Sequence, residues 1–313
     1  MRKIRFIYIL LLISFAISCD NIIDINFPTA EKQIVVNSFI SNDTNIFVNL
    51  SYTKDVKDAK DYFISDAEVK LSWADTSIYL NYLDTGLYMA NIKPFANQSY
   101  QLEVTKNDTV LTAETQIPDT LSINVDVKLN TGYSQYLQQE YSDVDITIHD
   151  NPNRENYYEI IFPTDSWHED NIDFFLGGNI DMAYSNDPIL LAEGYTGNFS
   201  FQKIMISDKN FDKSNVILHL KPCVNSVKHV LDDTTIYTTD FFLVVRSVSE
   251  DYYKYVKSIE QYYDNITYGG IAQTFVNKTV GVYSNINKGY GIFAGFSQKI
   301  MHEQIKEVVI NKK

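Results

Sequence analysis

One cysteine stands directly after the most apolar segment of the chain, and its thiol is the first group whose position indicates a reaction. Ala16, Ile17 and Ser18 lead into Cys19. An ordinary signal peptidase requires only small residues at its cleavage point. A cysteine at that point adds the nucleophilic thiol that a lipoprotein-processing pathway acylates. We therefore expect cleavage between Ser18 and Cys19 and lipid attachment to the Cys19 sulfur.

The segment before this cysteine has the layout of an export signal. Arg2, Lys3 and Arg5 form a basic start, and an apolar stretch runs from Phe6 to Ala16. A helix needs roughly 20 residues to cross a bilayer, so this stretch is too short for a comfortable membrane span. A plain cleaved signal and a buried N-terminal anchor are the alternatives to lipidation.

A glycine-rich segment near the C-terminus is close to a dinucleotide-binding fingerprint. Gly289, Gly291 and Gly295 follow the spacing G-x-G-x-x-x-G. Such a site needs a helix that receives the pyrophosphate and an acidic residue about twenty positions further on, and only eighteen residues follow Gly295. We expect these glycines to allow positive φ angles or close approach of strands instead.

Alternating polar residues at 208–212 are similar to the start of a calcium-binding loop. Asp208, Asn210 and Asp212 stand at alternate positions. An EF-hand loop also requires Gly at its sixth position and Glu at its twelfth, where this chain has Lys213 and His219. We expect a polar turn between two strands, with an irregular surface calcium site as the alternative.

Two histidine-containing segments bear on metal or ligand binding. His302 begins a pattern similar to that of zinc proteases, but Lys306 occupies the position of the second histidine, so no metal site is expected. Trp167 and His168 stand among carboxylates in the segment DSWHED, where a carbohydrate or peptide could stack on the indole. We expect an exposed loop with one partly buried indole here, with ligand contact at Trp167 and His168 as the alternative.

The sequence contains no complete set of catalytic residues. The G-x-S-x-G segment of α/β-hydrolases does not occur, and the carboxylates are too numerous for a glycosidase pair to be chosen among them. We therefore predict no catalytic residue, no cofactor and no metal, and we expect that the protein is not an enzyme.

Charge and composition indicate a folded, strongly acidic protein. The formal net charge is −14, and it becomes three units more negative once the signal and its three basic residues are removed. Such a surface repels phosphate backbones, so nucleic acid is not expected as a partner. Hydrophobic residues make up 45% of the chain, which excludes wholesale disorder. Cys223 has no partner once Cys19 is lipidated, and we expect a small buried side chain there.

Short apolar or alternating runs separated by turn signals predict a mainly β protein. Seven such runs between residues 31 and 118 have the spacing of a β-sandwich. Pro118 marks a boundary, after which strands continue at less regular spacing. The predicted organisation is a signal peptide at 1–18, a tether at 19–30, a β-sandwich domain at 31–118 and a larger β-rich domain at 119–313.

One amphipathic helix is predicted near residues 249–263. Ser249 is a suitable N-cap, and Glu250 and Asp251 stand in the first turn, where the helix dipole favours negative charge. Aromatic and aliphatic residues follow at helical spacing, and we expect this stripe to pack against a sheet. The residues of the stripe are Tyr252, Tyr255, Val256, Ile259, Tyr262 and Tyr263.

The order of motifs along the chain resembles a family of Bacteroidota lipoproteins known as domain of unknown function 4249. The segment from Ser284 to Ser297 is the most specific part of the resemblance, which covers nearly the whole mature chain. The motifs are the lipobox-like AISC, then QIVVNSFI, DAEVKLSW, DTGLYMA, YQLEVT, TAETQIPDT, NYYEIIF, SEDYYKYVKSIEQY and VGVYSNINKGYGIFAGFS.

This resemblance implies an N-terminal β-sandwich similar to immunoglobulin-like or carboxypeptidase-regulatory-like modules, followed by a larger β-rich region. It also implies an outer-membrane setting and a TonB-dependent receptor as partner, and it supplies no catalytic residues. In such bacteria, Asp-Thr followed by an aliphatic residue or Thr resembles an acceptor of O-linked glycan. Thr109, Thr120 and Thr234 stand in this pattern, although triplets this short also arise by chance.

The function expected from the sequence is that of a lipid-anchored, non-catalytic accessory or binding protein of the outer membrane that works with a TonB-dependent receptor in uptake. A surface hydrolase with an unrecognised carboxylate site and a purely structural envelope lipoprotein are the alternatives. Asp20 and Asp24 do not form the compact acidic run that would mark export to the surface. The sequence therefore leaves open whether the protein faces the periplasm or the cell surface.

Overall fold

Alternating apolar side chains build most of the described chain into strands. The computed structural model describes residues 31–54, 60–135, 138–149, 152, 154–163, 183–195, 203–210, 215–223, 226–231, 234–268 and 281–310. Within these ranges the prediction of a mainly β protein is confirmed. The strands are β1 (Ile34–Ser41), β2 (Ile46–Tyr52), β3 (Glu68–Trp73), β4 (Thr76–Tyr79), β5 (Asn81–Asp84), β6 (Leu87–Ala90), β7 (Gln98–Lys106), β8 (Thr109–Ile117), β9 (Ser122–Ser134), β10 (Gln139–His149), β11 (Tyr157–Ile161), β12 (Ala183–Tyr184), β13 (Lys203–Ser207), β14 (Asn215–Pro222), β15 (Val227–Leu231), β16 (Thr234–Val248) and β17 (Tyr290–Ile310). The helices are α1 (Pro188–Ala192) and α2 (Glu250–Tyr268).

These strands form three sheets. The central sheet has the order β13-β11-β16-β17-β1-β2-β6-β5, and β15 pairs with β16 beside it. The N-terminal sheet has the order β4-β3-β7-β8, and the sheet that we call the polar sheet has the order β12-β14-β10-β9. Both smaller sheets cover one face of the central sheet, and α2 packs on the other face.

Two apolar cores lie between the central sheet and the smaller sheets. In the first core, Val36 of β1 faces Leu71 of β3 and Leu102 of β7, and all three are almost fully buried. This pair of facing sheets agrees with the predicted N-terminal β-sandwich. In the second core, Ile146 of β10 and Leu243 of β16 are buried between the polar and central sheets. Period-two alternation thus buries one face of each strand.

The first and last strands of the chain pair in parallel. Val35 lies opposite Tyr290, and the register continues to Ser41 opposite Phe296. The central sheet therefore contains strands from both sides of the predicted boundary at residue 118. That boundary stays a prediction, but the segments on its two sides share one sheet.

Glycines make this pairing possible. Gly291 has a φ of +106°, and a Cβ at this position would lie 2.0 Å from the carbonyl oxygen of Val36. A Cβ on Gly295 would lie 2.5 Å from the carbonyl oxygen of Gln116 in β8. The prediction that these glycines serve positive φ angles and close strand approach is confirmed.

The predicted amphipathic helix is present as α2, with Ser249 as its cap. The hydroxyl oxygen of Ser249 accepts a hydrogen bond from the backbone N–H of Tyr252 at 3.3 Å. Tyr252 is buried and Tyr255 packs beside it on the central sheet. Tyr262 and Tyr263, in contrast, are 41% and 61% exposed. The prediction that the whole stripe packs on a sheet is therefore wrong for its last two residues, Tyr262 and Tyr263.

A buried ionic cluster joins α2 to the central sheet. The Nη1 atom of Arg246 donates to Oε2 of Glu159 at 2.7 Å, and the hydroxyl of Tyr252 donates to the same oxygen at 2.8 Å. The Nε atom of Arg246 donates to Gln298 at 3.1 Å. Arg246 also lies over the ring of Phe296. Burial, followed by the negative charge of Glu159, raises the pKa of Tyr252 far above its ordinary value.

We predict that Gly291→Ala lowers the free energy of unfolding by about 3 kcal/mol or more, because a Cβ there clashes with backbone and the φ angle is unfavourable. Urea denaturation of the chain from residue 20 onward measures the change. Gly281→Ala is the control, since its added Cβ meets no atom of the described residues within 4 Å. Equal stability of the two variants would contradict the close approach of β1 and β17.

We predict that Arg246→Met costs about 3 to 5 kcal/mol of stability, because the carboxylate of Glu159 is left buried without its cation. Tyr252→Phe removes hydrogen bonds only and should cost about 1 to 2 kcal/mol. The double variant Glu159→Leu/Arg246→Met should recover a large part of the loss. Urea denaturation of Glu159→Leu, Arg246→Met and the double variant measures these losses. If the losses of the two single variants add up to that of the double variant, Glu159 and Arg246 are not coupled.

Candidate functional site

The outer face of the polar sheet carries a continuous set of polar side chains. Over residues 122–129 of β9, 143–149 of β10 and 215–222 of β14, every second residue is apolar and faces inward, so the intervening residues face outward. Ile217 is the aliphatic exception on this face and is 50% exposed. The polar residues are Asn124, Asp126, Lys128, Asp143, Asp145, Thr147, His149, Asn215, His219 and Lys221.

A depression of about 240 Å³ opens in the middle of this face. Its walls are the side chains of neighbouring strands, and three carboxylates, two ammonium groups and one imidazole line it. The lining residues are Asp126, Lys128, Asp143, Asp145, His219, Leu220 and Lys221. We take this depression as the candidate site because it brings together charges from three strands that are distant in sequence.

The first row of the depression is acidic. Asp145 of β10 lies directly opposite Asp126 of β9 on one side and His219 of β14 on the other. Nδ1 of His219 is 2.6 Å from Oδ1 of Asp145. Two carboxylates directly opposite each other in a sheet repel, so this row favours a ligand that donates hydrogen bonds or carries positive charge.

The second row, one pleat repeat along the strands, is basic. Asp143 lies opposite Lys128, and the ammonium of Lys221 donates a hydrogen bond to Oδ1 of Asp143. Burial alone would raise the pKa of Asp143, but hydrogen bonds from Lys221 and Thr131 and the charges of the two lysines outweigh it and lower that pKa. Lys221 also lies 4.9 Å from the centre of the Tyr141 ring.

The two rows together form a bipolar surface. Rows two residues apart on a strand are separated by roughly 7 Å, which places an acidic and a basic group within reach of one small polar molecule. Carboxylates and ammonium groups also hydrogen-bond hydroxyl groups. In the described ranges, no group of three or more His, Cys, Asp or Glu side chains could hold a metal ion. The arrangement suits reversible binding of a polar ligand.

Several residues singled out from the sequence lie outside the described part of the chain. These are Ser18 and Cys19 at the expected cleavage point, and the candidate ligand-contact residues Trp167 and His168. Their assignments stay predictions.

The candidate glycan acceptors lie in three different settings. Thr109, at the start of β8, is exposed, and so is Thr120, which follows β8. Thr234, the first residue of β16, is half-buried. The structure does not bring these threonines together, and their glycosylation stays a prediction.

Three other predicted positions can be compared with the structure. Asp208 begins a short 3-10 turn between β13 and β14, as expected for a turn, but its side chain is buried and accepts a hydrogen bond from Asn156 at 3.0 Å. His302 stacks on Phe242, with ring centroids 4.0 Å apart. Cys223 is buried, as expected.

The residues of the depression were missed by sequence reasoning, although a signal exists. Segments such as NVDVKL, SDVDITI and ILHLK alternate apolar with charged residues, which predicts a charged outer face. The alternation does not say that Asp145 lies between Asp126 and His219. Only the strand order decides that.

The described helices contain no segment that is both long and apolar enough to cross a membrane. No curated protein matches the chain. Among solved structures, a protein from Corynebacterium diphtheriae assigned as membrane-anchored matches with 12% identity and a TM-score of 0.20, over 71% of this chain and 55% of that one. The chain thus spans little more than half of that structure, and a TM-score this low carries no inference about fold.

The family comparison is more informative. The model of the family described as "Domain of unknown function (DUF4249)" matches residues 20–300. The match covers nearly the whole chain after the predicted cleavage point, including β1 and the parallel part of β17. The chain therefore belongs to the DUF4249 family.

Proposed function

We propose that the chain is a lipid-anchored accessory protein of the outer membrane that binds a polar ligand and a TonB-dependent receptor and catalyses no reaction. The observation that carries the proposal is the parallel pairing of β1 with β17. Residues 31–33 lead from the predicted tether into β1, whose Val35 lies opposite Tyr290. The tether therefore joins the fold at the start of its longest strand.

β17 leads away from that point. It continues for 21 residues to Ile310, which is roughly 65 Å at about 3.3 Å per residue. A tether of residues 19–30 reaches roughly 40 Å when fully extended. The far end of β17 thus lies at the opposite end of this strand from the point where the chain enters β1. This end is available to meet another envelope protein.

The chemistry of the depression supports binding rather than catalysis. A carboxyl that acts as a general acid near neutral pH needs a raised pKa. The pKa of Asp143 is instead lowered by the neighbouring lysines, so its carboxyl is ionised at neutral pH. Asp143 therefore does not serve as the general acid that the hydrolase alternative requires. The other alternative, a purely structural envelope lipoprotein, gives the charged depression no role and requires no receptor.

We predict that Cys19→Ala abolishes acylation, so that the chain remains an unprocessed precursor or is released in soluble form. Metabolic labelling with a fatty acid, followed by membrane fractionation, measures both effects. Cys223→Ala is the matched control, because Cys223 is buried and should stay unacylated. A processed, membrane-bound Cys19→Ala variant would contradict the anchor.

We predict that the affinity-tagged protein, isolated from solubilised outer membranes, retains a TonB-dependent receptor in roughly equal amount. An unrelated outer-membrane lipoprotein with the same tag is the control and should retain none. Quantitative mass spectrometry measures the ratio. Recovery without any receptor, together with altered envelope integrity in a deletion strain, would favour the structural alternative.

A further inference from the structure

The far end of the central sheet is a three-stranded extension that we call the distal ribbon: β15, residues 234–239 of β16 and residues 305–310 of β17. Its strands are in register across the ribbon. Leu231, Thr234 and Ile310 form the last row, and the next row contains Val230, Thr235 and Val309. Every residue of β15 is exposed. β15 therefore extends past the cores, whereas on the face toward the polar sheet Ile305 still packs on the second core and Glu307 accepts a hydrogen bond from the backbone N–H of Leu129.

This ribbon exposes aliphatic side chains on neighbouring strands. Isolated exposed apolar residues are normal, but contiguous ones mark interaction sites. Lys306, Val308 and Ile310 alternate on one face of β17, and Leu231 and Val227 share that face on β15. The most exposed aliphatic side chains of the ribbon are Val227 at 58%, Val230 at 61%, Leu231 at 60%, Val308 at 53% and Ile310 at 67%.

One edge of the ribbon is also open. β17 pairs with β16 from Phe296 to Ile310 on one side. On the other side it pairs with β1 only as far as Phe296, and no other described strand continues that pairing. Along Gln298–Ile310, alternate backbone N–H and C=O groups therefore point away from the sheet. An open edge of this length is a template for another strand.

We propose that the open edge of β17 from Gln298 to Ile310 accepts an extended segment of a partner protein as an additional strand. On the face of Lys306, Val308 and Ile310, the segment places an acidic side chain beside the lysine and aliphatic side chains beside the other two. Backbone hydrogen bonds supply affinity in this mode and alternate side chains supply specificity. The proposal deepens the proposed function and rests on it only for the expectation that a receptor supplies the segment.

A bilayer does not fit this surface as well as a peptide does. Asp232 and Asp233 directly follow Leu231 in the sequence, and carboxylates next to an apolar segment oppose its insertion into lipid. The open backbone edge requires hydrogen-bonding groups, which a hydrocarbon interior cannot supply. An extended segment with acidic and aliphatic residues supplies backbone hydrogen bonds to the edge, a carboxylate to Lys306 and aliphatic contacts to the exposed face.

The probe is a seven-residue capped peptide that alternates threonine with Asp, Val and Val. Two further versions carry N-methyl groups, one on the Asp and Val residues and the other on the threonines. Alternate N–H groups of a strand point to opposite sides. One version therefore lacks the N–H groups that would pair with β17, and the other version keeps them. Hydrogen exchange of the whole mature chain, read by mass spectrometry, reports amide protection in 298–310.

The unmodified peptide and only one N-methylated version should slow exchange of the edge-facing amides within about 304–310 by at least about fivefold. Val308→Asp should abolish this protection. Ile217→Asp, at an exposed aliphatic residue on the polar sheet, is the matched control and should preserve it. Lys306→Glu should reverse the preference, so that a peptide with Lys in place of Asp binds better.

The proposal would be overturned if both N-methylated peptides protected the edge equally. It would also be overturned if none of the three peptides protected it. Self-association of the chain through β17, which sedimentation velocity detects and which Val308→Asp would abolish, would overturn it too. Peptide protection without receptor recovery from membranes would refute the proposed receptor partnership alone. Receptor recovery that persists in Val308→Asp and Lys306→Glu would refute the docking edge alone.

Discussion

The parallel pairing of the first strand with the last is the constraint on which the other features of the structure depend. β1 lies between β2 and β17, so it belongs to the N-terminal sandwich and to the sheet that carries α2. Gly291 permits the two backbones to approach, because any Cβ there would meet the carbonyl of Val36. Contacts that join residues this far apart in sequence are slow to form. The sheet is completed only when the C-terminal part of the chain is present.

The central sheet carries different physical roles on its two faces. One face is apolar and packs against both smaller sheets. The other face accommodates Glu159 and Arg246 beneath α2, where their mutual attraction and the hydroxyl of Tyr252 offset the cost of burying two charges. Such a cluster contributes little net stability compared with apolar packing. Its geometry instead restricts where α2 can lie, because displacing Tyr252 leaves the carboxylate with one hydrogen bond fewer.

Three parts of the fold are relevant to the proposed function. Residues 31–33 enter β1 beside the start of β17, the depression opens on the outer face of the polar sheet, and the distal ribbon contains the end of β17. An accessory protein of the envelope needs an anchor, a ligand surface and a partner surface that do not obstruct one another. These positions do not overlap, which supports the proposed function.

Much of the local structure could be predicted from the sequence because local physics determines it. Period-two alternation predicted the strands, and the spacing of Gly289, Gly291 and Gly295 predicted a close approach. Ser249 predicted the start of α2 because a hydroxyl side chain can accept from the first unpaired N–H groups of a helix. The exposure of Tyr263 was not predicted, since helical spacing says nothing about how far the sheet beneath a helix extends.

The partners of each strand and each charge were decided by the tertiary structure. Alternation indicates which side chains of a strand share a face, but it does not indicate which other strand lies beside that strand. The pairing of Asp145 with His219, of Glu159 with Arg246 and of β1 with β17 therefore needed the strand order. By itself, the sequence determined a mainly β, acidic chain with a signal-like start, because those properties are sums over residues or short periods. The depression, the buried cluster and the open edge depend on long-range pairing, whose energy is set by packing between segments and is not encoded in either segment alone.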